Sequence, residues 1–418
     1  MHIVFATVEL ATANNASGGL ASFTANMARI FAENGHKVTV LVAATKDEKL
    51  KFDENIAVET TYIKKSVWDA FDRAAKFLAF GGNKKNLDLR KFFISVYKSR
   101  QVRKKIQEIN RVEKIDIVHY CDWNALAYRA DKKIPFVVRV SSFMNIWEGA
   151  NLPEGNIEYA KNKLSIRDKW IVYVLKKSRY IIFPSKLLAE IGKKELGLNA
   201  TVIESPFRLD IKDWDYSLYQ SNGAGKRYII HYGNMRYFKG THIVALTVKK
   251  ILEKYPDIYL VLVGRSEALL DEKGEKVRAD ELIKKNAGEF SDRVICMGSL
   301  PREQLYPFIQ NAEICFLPSR IENLSNACIE AMAMGKIVVA TNGASYEQLI
   351  DDRVSGFLCE RDNPESFLKA IYEALNMSKE EKDKMILKAS ERIKLLNPDT
   401  IYRKYFNYYN KVIKEWYR

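Results

Sequence analysis

The sequence has few cysteines and no long apolar run. Its 418 residues include five cysteines, and no two of them form a C-x-x-C pair. This argues against a disulfide framework and favours free thiols in a reducing compartment. No apolar run approaches the roughly 18 residues that a spanning helix needs. The start, MHIVFATVEL, has no basic region and turns polar early, unlike a signal peptide. We expect a cytoplasmic protein.

Two further motifs are missing. No G-x-G-x-x-G follows the first predicted strand, which disfavours a dinucleotide-dependent redox enzyme. No His, Cys, Asp and Glu cluster has the spacing of a metal site, so we predict neither a metal nor a cofactor.

The positive charge is uneven along the chain. The net charge is +15, of which residues 1–200 carry +13, and residues 60–114 hold 15 basic and 5 acidic side chains. Aromatic residues interleave with these bases, namely Trp68, Phe71, Phe77, Phe80, Phe92, Phe93 and Tyr97. One interpretation is a solvated helical face, and the other is a surface that meets anionic lipid heads. Nucleic acid is disfavoured because no nucleic-acid motif accompanies the charge.

The first half alternates between strand and helix patterns. HIVFATVEL has the apolar bias of a buried strand, a Gly-containing loop and a helical pattern follow, and KVTVLVA is the next strand. Further strands are predicted at 115–121, 135–141 and 179–185, and residues 60–114 form a long helical insertion. This order is typical of a parallel sheet.

A second alternating series begins after residue 205. The polar stretch 217–227 is predicted to be a linker or exposed loop. Apolar strands then alternate with helices at about 241–254, 279–287, 303–311 and 325–334. The sequence therefore predicts an α/β protein with two doubly wound domains, 1–205 and 206–395, and a crevice between them. The aromatic helix at about 396–418 is expected to pack back on the first domain.

The stretch IENLSNACIEAMAMGK places two acids around a small polar loop. Glu322 and Glu330 flank residues at a strand's carboxyl end, where the next helix begins, namely Asn323, Leu324, Ser325 and Asn326. Ligands of open α/β sheets bind at such ends, and the first N–H groups of a helix suit a phosphate. A carboxylate pairs well with a vicinal diol. The pattern indicates a diphosphate flanked by two sugars, although Ser325 as a simple cap and Glu330 in solvent would also fit it.

The longer stretch around these two acids reads PSRIENLSNACIEAMAMGKIVVATNGASYEQLIDDRVSGFL. This stretch resembles the signature of the family 4 retaining glycosyltransferases of GT-B fold. That signature has E-x7-E, then EAMA-x-G and a Gly-rich turn. The resemblance implies that Glu322 contacts the donor sugar and that Glu330 contacts the ribose of the nucleotide.

Other segments resemble the same family. HYGNMRYFKG is similar to its G-R-L-x-x-x-K-G, with Lys239 at the lysine that neutralises the donor diphosphate. Asn234 stands at the arginine position, and Arg236 is the candidate that compensates for it. The remaining donor-side candidates are Gly19, Gly264, Arg265, Ser299 and Leu300. On the acceptor or sugar side, the candidates are Gly18, Arg139 and Ser141. Ser141 occupies a position where a histidine is common.

The resemblance implies a retaining hexosyltransferase that uses a nucleotide-sugar. We expect a UDP-sugar and no metal requirement. The basic insertion suggests a lipid-linked or envelope polysaccharide acceptor and a peripheral position at the inner membrane face. The alternatives are a soluble enzyme that acts on a small acceptor or a glucan, and a non-catalytic nucleotide-sugar binder. The base, the sugar, the acceptor and the oligomeric state are not identified by the sequence.

Overall fold

The computed structural model describes residues 1–12, 18–44, 52–78, 83–159, 164–209 and 214–418. The chain forms two compact units. The first comprises Met1–Asn145, Tyr159–Pro206 and Asn397–Arg418, and the second comprises Ile146–Glu158 and Phe207–Leu396. Segment Ile146–Glu158 thus groups with the second unit, whereas the sequence-based division assigns it to the first.

The first unit is built on a seven-stranded parallel sheet. Its strands are β1 (His2–Thr7), β2 (Lys37–Ala43), β3 (Ala57–Thr61), β4 (Ile117–Cys121), β5 (Phe136–Arg139), β6 (Ile181–Phe183) and β7 (Thr201–Val202). They lie in the order β3-β2-β1-β4-β5-β6-β7. The chain therefore reverses its direction of winding between β1 and β4, which is the switch point of a doubly wound sheet.

The helices of the first half precede and follow these strands. They are α1 (Gly19–Glu33), α2 (Lys65–Leu78), α3 (Asn83–Val112), α4 (Met144–Ala150), α5 (Ile166–Lys177) and α6 (Lys186–Leu196). α1 buries Phe23, Met27, Ile30 and Phe31, which recur at helical spacing. Its apolar stripe explains why this segment is a helix that packs on the sheet.

The second unit has a six-stranded parallel sheet and a separate hairpin. Its strands are β8 (Arg227–Tyr232), β9 (Ile258–Val263), β10 (Ala268–Leu270), β11 (Lys276–Arg278), β12 (Val294–Cys296), β13 (Ile314–Leu317), β14 (Ile337–Thr341) and β15 (Phe357–Cys359). The sheet order is β12-β9-β8-β13-β14-β15, and β10 pairs with β11 in antiparallel fashion. The switch point lies between β8 and β13.

Helices again alternate with these strands. They are α7 (Ser217–Asn222), α8 (Thr241–Lys254), α9 (Ala279–Ala287), α10 (Arg302–Asn311), α11 (Asn326–Ala333), α12 (Pro364–Asn376) and α13 (Lys379–Lys394), followed by α14 (Pro398–Trp416) in the first unit. The prediction of an α/β protein with two parallel, Rossmann-like sheets is confirmed. The four helices expected in the second half are also confirmed.

Some elements differ from the sequence-based prediction. Part of the expected 217–227 loop is the short helix α7. β3 was not predicted, because its sequence AVETT is polar and its position at the sheet edge leaves it half-buried. The β10–β11 hairpin has mostly exposed side chains, so it carries no apolar periodicity. Short edge elements of this kind leave little signal in a sequence.

The basic insertion consists of α2 and α3 after the edge strand. Most of its aromatic side chains are half-buried and contact one another: the ring centroid of Phe71 lies 5.9 Å from that of Phe93 and 5.7 Å from that of Tyr97. Phe77, at the end of α2, is 82% exposed, and Phe80 lies outside the described residues. None of the helices in the described part of the chain has an apolar stretch of the length that spanning a bilayer requires.

α14 supplies two buried tyrosines to the core of the first unit. The Tyr409 ring stacks on Phe31, with centroids 5.4 Å apart. The Tyr409 hydroxyl lies 2.6 Å from Nδ1 of His119 on β4. Burial lowers the pKa of His119 to about 3, so this imidazole is neutral above that pH. His119 is therefore a core residue, and its hydrogen bond ties the last helix to the sheet.

The substitution Tyr409→Phe should destabilise the first unit. It removes the hydroxyl partner of a fully buried imidazole, a loss that typically costs about 1–3 kcal/mol. Urea unfolding followed by circular dichroism would measure the change. Tyr417→Phe, at a 64% exposed position just after α14, is the matched control and should leave the unfolding midpoint unchanged. An equal effect of the two substitutions would contradict the role assigned to the Tyr409 hydroxyl.

Candidate functional site

The predicted donor-side residues of the second unit follow four neighbouring strands. Asn234, Arg236 and Lys239 follow β8, Gly264 and Arg265 follow β9, Ser299 and Leu300 follow β12, and Glu322, Asn323, Leu324, Ser325 and Asn326 follow β13. All four strands are parallel. Their carboxyl ends therefore meet at one edge of the sheet, and the β8 and β13 loops flank the switch point where ligands bind in such sheets.

Lys239 and Glu322 are in direct contact across this switch point. Nζ of Lys239 lies 2.6 Å from Oε1 of Glu322, and the Ser319 hydroxyl donates to the same oxygen at 2.8 Å. The Lys239 side chain is 26% exposed and that of Glu322 is 12% exposed. The carboxylate is thus held in place by two donors, while the ammonium group keeps access to solvent.

Gly240 allows the Lys239 loop to approach the β13 loop. It has a φ of +70°, and a Cβ built on it would lie 1.7 Å from the carbonyl oxygen of Pro318. Only glycine fits a backbone that is both left-handed and this close to another chain segment. The glycine after Lys239 is therefore a packing requirement of the Lys239–Glu322 contact.

The buried side chain of His231 holds the Lys239 loop against β13. His231 on β8 has Nδ1 2.9 Å from the Phe316 carbonyl and Nε2 3.2 Å from the Thr241 hydroxyl. A carbonyl can only accept, so Nδ1 carries the proton. The Thr241 oxygen in turn accepts from the Arg236 backbone N–H at 3.1 Å. Burial lowers the pKa of His231 to about 4, which keeps this chain of hydrogen bonds neutral.

The cations near the β8 loop differ in how free they are to bind an anion. Arg236, the candidate that compensates for Asn234, forms an ion pair with Glu267, and its guanidinium lies 5.2 Å from the Phe238 ring centroid. Asn234 and Arg265 are both exposed. The charge of Arg236 is therefore largely neutralised, and Arg265 is the more accessible cation at this edge.

The polar loop after β13 leads directly into α11. Ser325 is its N-cap, and the Ser325 oxygen accepts from the Cys328 N–H at 3.3 Å. The Ser345 hydroxyl donates to the Asn323 carbonyl at 2.6 Å, and the Glu322 N–H donates to the Ala344 carbonyl at 3.0 Å. The turn after β14 therefore holds the loop in a defined conformation.

Glu330 is buried and does not face solvent. The Tyr306 hydroxyl donates to its Oε1 at 3.2 Å, and Arg302 lies 3.5 Å from the same atom. Burial raises the pKa of Glu330, whereas Arg302 and Tyr306 act in the opposite direction. Both partners come from α10, so this helix positions the carboxylate. The alternative in which Glu330 is a solvated helix residue is wrong.

Two other candidates lie at the ends of β9 and β12. Gly264 stands where a Cβ would be 1.9 Å from the Gly233 carbonyl oxygen, so the β8 and β9 turns can approach only without a side chain. Ser299 is exposed and Leu300 is half-buried in the loop before α10. Within the described part of the chain, no side-chain hydrogen bond or ion pair assigns Ser299 or Leu300 a role.

The first unit contains the remaining candidates. Gly18 and Gly19 are exposed at the start of α1. Arg139 is buried, with its guanidinium 3.7 Å from the Phe23 ring centroid and 2.9 Å from the Ser205 hydroxyl. The Ser141 N–H donates to Asp122 at 2.9 Å. Arg139 therefore packs in the core of this unit, and Ser141 lies at the end of β5.

Sequence reasoning did not identify several residues that support the site. Ser319 contacts Glu322 from the same loop, whereas Tyr306 and Arg302 contact Glu330 from another element, α10. Ser319 had a usable signal, because it lies two residues after β13, inside the motif itself. Tyr306 and Arg302 had none, since only the packing of α10 brings them to Glu330.

Arg320 was also missed, and it anchors segment Ile146–Glu158 in the second unit. Its guanidinium donates to the carbonyl oxygens of Ala150 at 3.1 Å and Pro153 at 2.9 Å, and it pairs with Asp362 at 2.7 Å. The Arg320 backbone N–H donates to the Phe238 carbonyl at 2.8 Å. Arg320 therefore links this segment to the loop that carries Lys239. In the described part of the chain, no group of three or more His, Cys, Asp or Glu side chains could hold a metal.

Two family models match the chain. The model described as Glycosyltransferase Family 4 matches residues 17–210, and the model described as Glycosyl transferases group 1 matches residues 220–392. An uncharacterized glycosyltransferase of Haemophilus influenzae is 28% identical over 45% of this chain and 47% of its own length. A lipopolysaccharide 1,2-N-acetylglucosaminetransferase of Salmonella typhimurium is 27% identical over 35% of this chain and 39% of its own length. These alignments span about half of the relatives or less.

Solved structures match the chain over nearly its whole length. Sucrose-phosphate synthase from Thermosynechococcus elongatus has a TM-score of 0.70 at 14% identity, and it covers 99% of both chains. An E. coli structure described as trehalose-6-phosphate bound with UDP-2-fluoro glucose has a TM-score of 0.69 at 13% identity, over 98% of this chain and 99% of the other. The fold is GT-B, and the family matches support a glycosyltransferase similar to family 4.

The substitution Gly240→Ala should destabilise the second unit and displace Lys239. Its Cβ would overlap the Pro318 carbonyl, and its φ would be left-handed. The loss in free energy of unfolding should therefore exceed the roughly 1 kcal/mol that a left-handed backbone alone costs an alanine. The matched control is Gly225→Ala, because Gly225 has a similar φ of +74° with nothing within 4 Å. Thermal unfolding would compare the two variants. Equal midpoints would show that the close approach to Pro318 is unimportant.

Proposed function

We propose that this chain is a retaining glycosyltransferase that moves a hexosyl unit from a UDP-sugar to a saccharide or lipid-linked acceptor. The observation that carries the proposal is the Lys239–Glu322 contact at the switch point of the second sheet. It places a cation and a fixed carboxylate beside the N-terminus of α11, where a sugar diphosphate has partners for both of its halves. UDP is favoured because the E. coli structural neighbour is described as bound with a UDP-sugar.

Charge stabilisation is the main contribution of this site to the proposed reaction. Negative charge develops on the diphosphate as the bond to the sugar breaks, and Lys239, Arg265 and the helix N–H groups can stabilise it. Glu322 is already oriented by Ser319 and Lys239, so it can bind donor-sugar hydroxyls without reorganisation. Glu330, oriented by Tyr306, is proposed to bind the ribose diol.

The proposed stereochemical outcome is retention, as the resemblance to family 4 implies. The acceptor hydroxyl would attack from the face that the diphosphate leaves, and the leaving diphosphate would take up the proton. No carboxylate nucleophile is then needed, unlike in retaining glycosidases, where two carboxyl groups flank the bond. The first unit is proposed to hold the acceptor.

Substitutions of the two glutamates should have different effects. Glu330→Gln should weaken UDP binding about tenfold or more, since a hydrogen bond to a charged group typically contributes about 1.5–3 kcal/mol. Glu322→Gln should leave UDP affinity nearly intact and lower the rate of sugar release from the donor about a hundredfold. Calorimetry with UDP and chromatography of UDP released from UDP-sugars would measure these quantities.

Glu380→Gln is the control, because Glu380 is an exposed acid of the second unit with a 78% exposed side chain. Equal loss of UDP affinity in the Glu322 and Glu330 variants would refute the division of roles. Titration of the unmodified protein with UDP-, GDP- and ADP-sugars would test the base, and tighter binding of a GDP- or ADP-sugar would overturn the choice of UDP.

An anionic membrane surface is the proposed location of the acceptor. At the end of α2, Phe77 and Leu78 are 82% and 50% exposed, and Arg73 and Lys76 are exposed beside them. Exposed apolar side chains beside cations suit the surface of an anionic bilayer, where the apolar groups insert and the cations are attracted to the lipid headgroups. The relative in Salmonella, a lipopolysaccharide N-acetylglucosaminetransferase, is consistent with an envelope acceptor.

The protein should sediment with liposomes that contain anionic lipid, and more strongly at low salt than at physiological salt. The double substitution Phe77→Ser and Leu78→Ser should reduce the partition coefficient about tenfold, because it removes the apolar insertion. Leu387→Ser, at a 56% exposed position on α13, is the control and should have no effect. No binding of the unmodified protein at either salt would exclude the membrane proposal and favour a soluble acceptor.

A further inference from the structure

A narrow pocket in the first unit lies at the carboxyl ends of β4 and β5. Its cavity volume is only about 20 Å³, and with the open space at its mouth it spans about 390 Å³. Its wall is mostly apolar and includes Trp123, Phe143, Tyr159, Ile171 and Val172. A group of a few atoms fits such a pocket, whereas a whole sugar ring does not.

Two hydrogen-bond donors, carried by residues that line this pocket, lack a partner among the described residues. They are the side-chain amide nitrogen of Asn145 and the hydroxyl of Tyr159, and both atoms are buried. The Tyr159 ring packs edge-on against Phe143, with centroids 5.6 Å apart. Buried polar atoms of native proteins are normally hydrogen-bonded, so two such donors on the lining residues of one pocket indicate an acceptor that comes from outside the chain.

The acidic groups of the pocket disfavour an anionic ligand. The carboxylate of Asp168 is occupied by the Ser165 hydroxyl at 2.6 Å and by Arg167 at 3.3 Å. Asp122 is buried and accepts from the Ser141 N–H at 2.9 Å. Arg167 is therefore neutralised, and a phosphate or carboxylate entering the pocket would meet Asp122. A neutral carbonyl oxygen is the acceptor that suits both donors.

We infer that this pocket binds the acetamido group of an N-acetylated amino sugar in the acceptor. Its carbonyl oxygen would accept from Asn145 and Tyr159, and its methyl group would pack against Trp123 and Phe143. An alkyl chain would leave both donors unpaired, and a lone hydroxyl would leave the aromatic wall uncovered. The inference rests on the proposed function, since it specifies part of the acceptor.

Saturation-transfer NMR on the full chain tests this with two probes. They are methyl 2-acetamido-2-deoxy-β-D-glucopyranoside and methyl β-D-glucopyranoside, which differ only in the acetamido group. We expect the acetyl methyl protons to receive the most saturation, and the acetamido probe to bind about fivefold more tightly or better. Equal binding of the two probes, or binding of neither, would overturn the inference and leave the donors to an ordered water.

Tyr159→Phe distinguishes a ligand contact from a structural one. It deletes a hydroxyl that has no partner in the described part of the chain, so the unfolding midpoint should not fall, in contrast to Tyr409→Phe. The preference for the acetamido probe should drop about fivefold, and Asn145→Ala should act in the same direction. Tyr62→Phe, at an exposed position of the same unit, should change neither quantity. An unchanged preference in the Tyr159 and Asn145 variants would contradict the inference.

UDP calorimetry on the same samples separates this inference from the proposed function. If the protein binds UDP and releases it from UDP-sugars but shows no preference for the acetamido probe, the acceptor inference alone fails. If it does not bind UDP, the proposed function fails, whatever the pocket binds.

Discussion

The candidate site depends on one contact, between the ammonium group of Lys239 and the carboxylate of Glu322. Its two loops leave adjacent parallel strands at the point where the winding of the sheet reverses, so no helix lies between them. Three features maintain the contact: the missing side chain at Gly240, the hydrogen bonds of the His231 side chain to β13 and to Thr241, and the backbone hydrogen bond from Arg320 to Phe238. Each of them brings the β8 loop and the β13 loop together.

The fold could be predicted from the sequence because its strands are buried on both faces. Segments such as IVVAT and IYLVLVG are continuous apolar runs between helical patterns, and β14 and β9 formed where these runs lie. The edge strand β3 and the helix α7 carried no comparable signal, since neither contains a fully buried residue. Periodicity reports burial, so elements that are exposed or lie at an edge are missed.

The site was predictable where a sequence motif holds its residues. Glu322, Ser325 and Glu330 are close in sequence, and their resemblance to a known signature indicated them together. The partners that orient Glu330 lie elsewhere, since Tyr306 and Arg302 come from α10. Lys239 was indicated by a separate motif more than 80 residues before Glu322, but its contact with Glu322 was not. The Arg236 charge is neutralised by an ion pair with Glu267, and no local sequence pattern reveals that pairing. Long-range pairing is a property of the fold and cannot be read from spacing.

The interleaved division of the chain has a consequence for synthesis on the ribosome. The polypeptide passes from one unit to the other four times, and α14 follows the whole second unit in sequence. Until α14 emerges, Phe31 and His119 lack the helix that covers them. The first unit, although it is translated first, can therefore complete its core only after the second unit has been made. Domain-by-domain folding from the N-terminus, the usual order for large proteins, is reversed here in its last step.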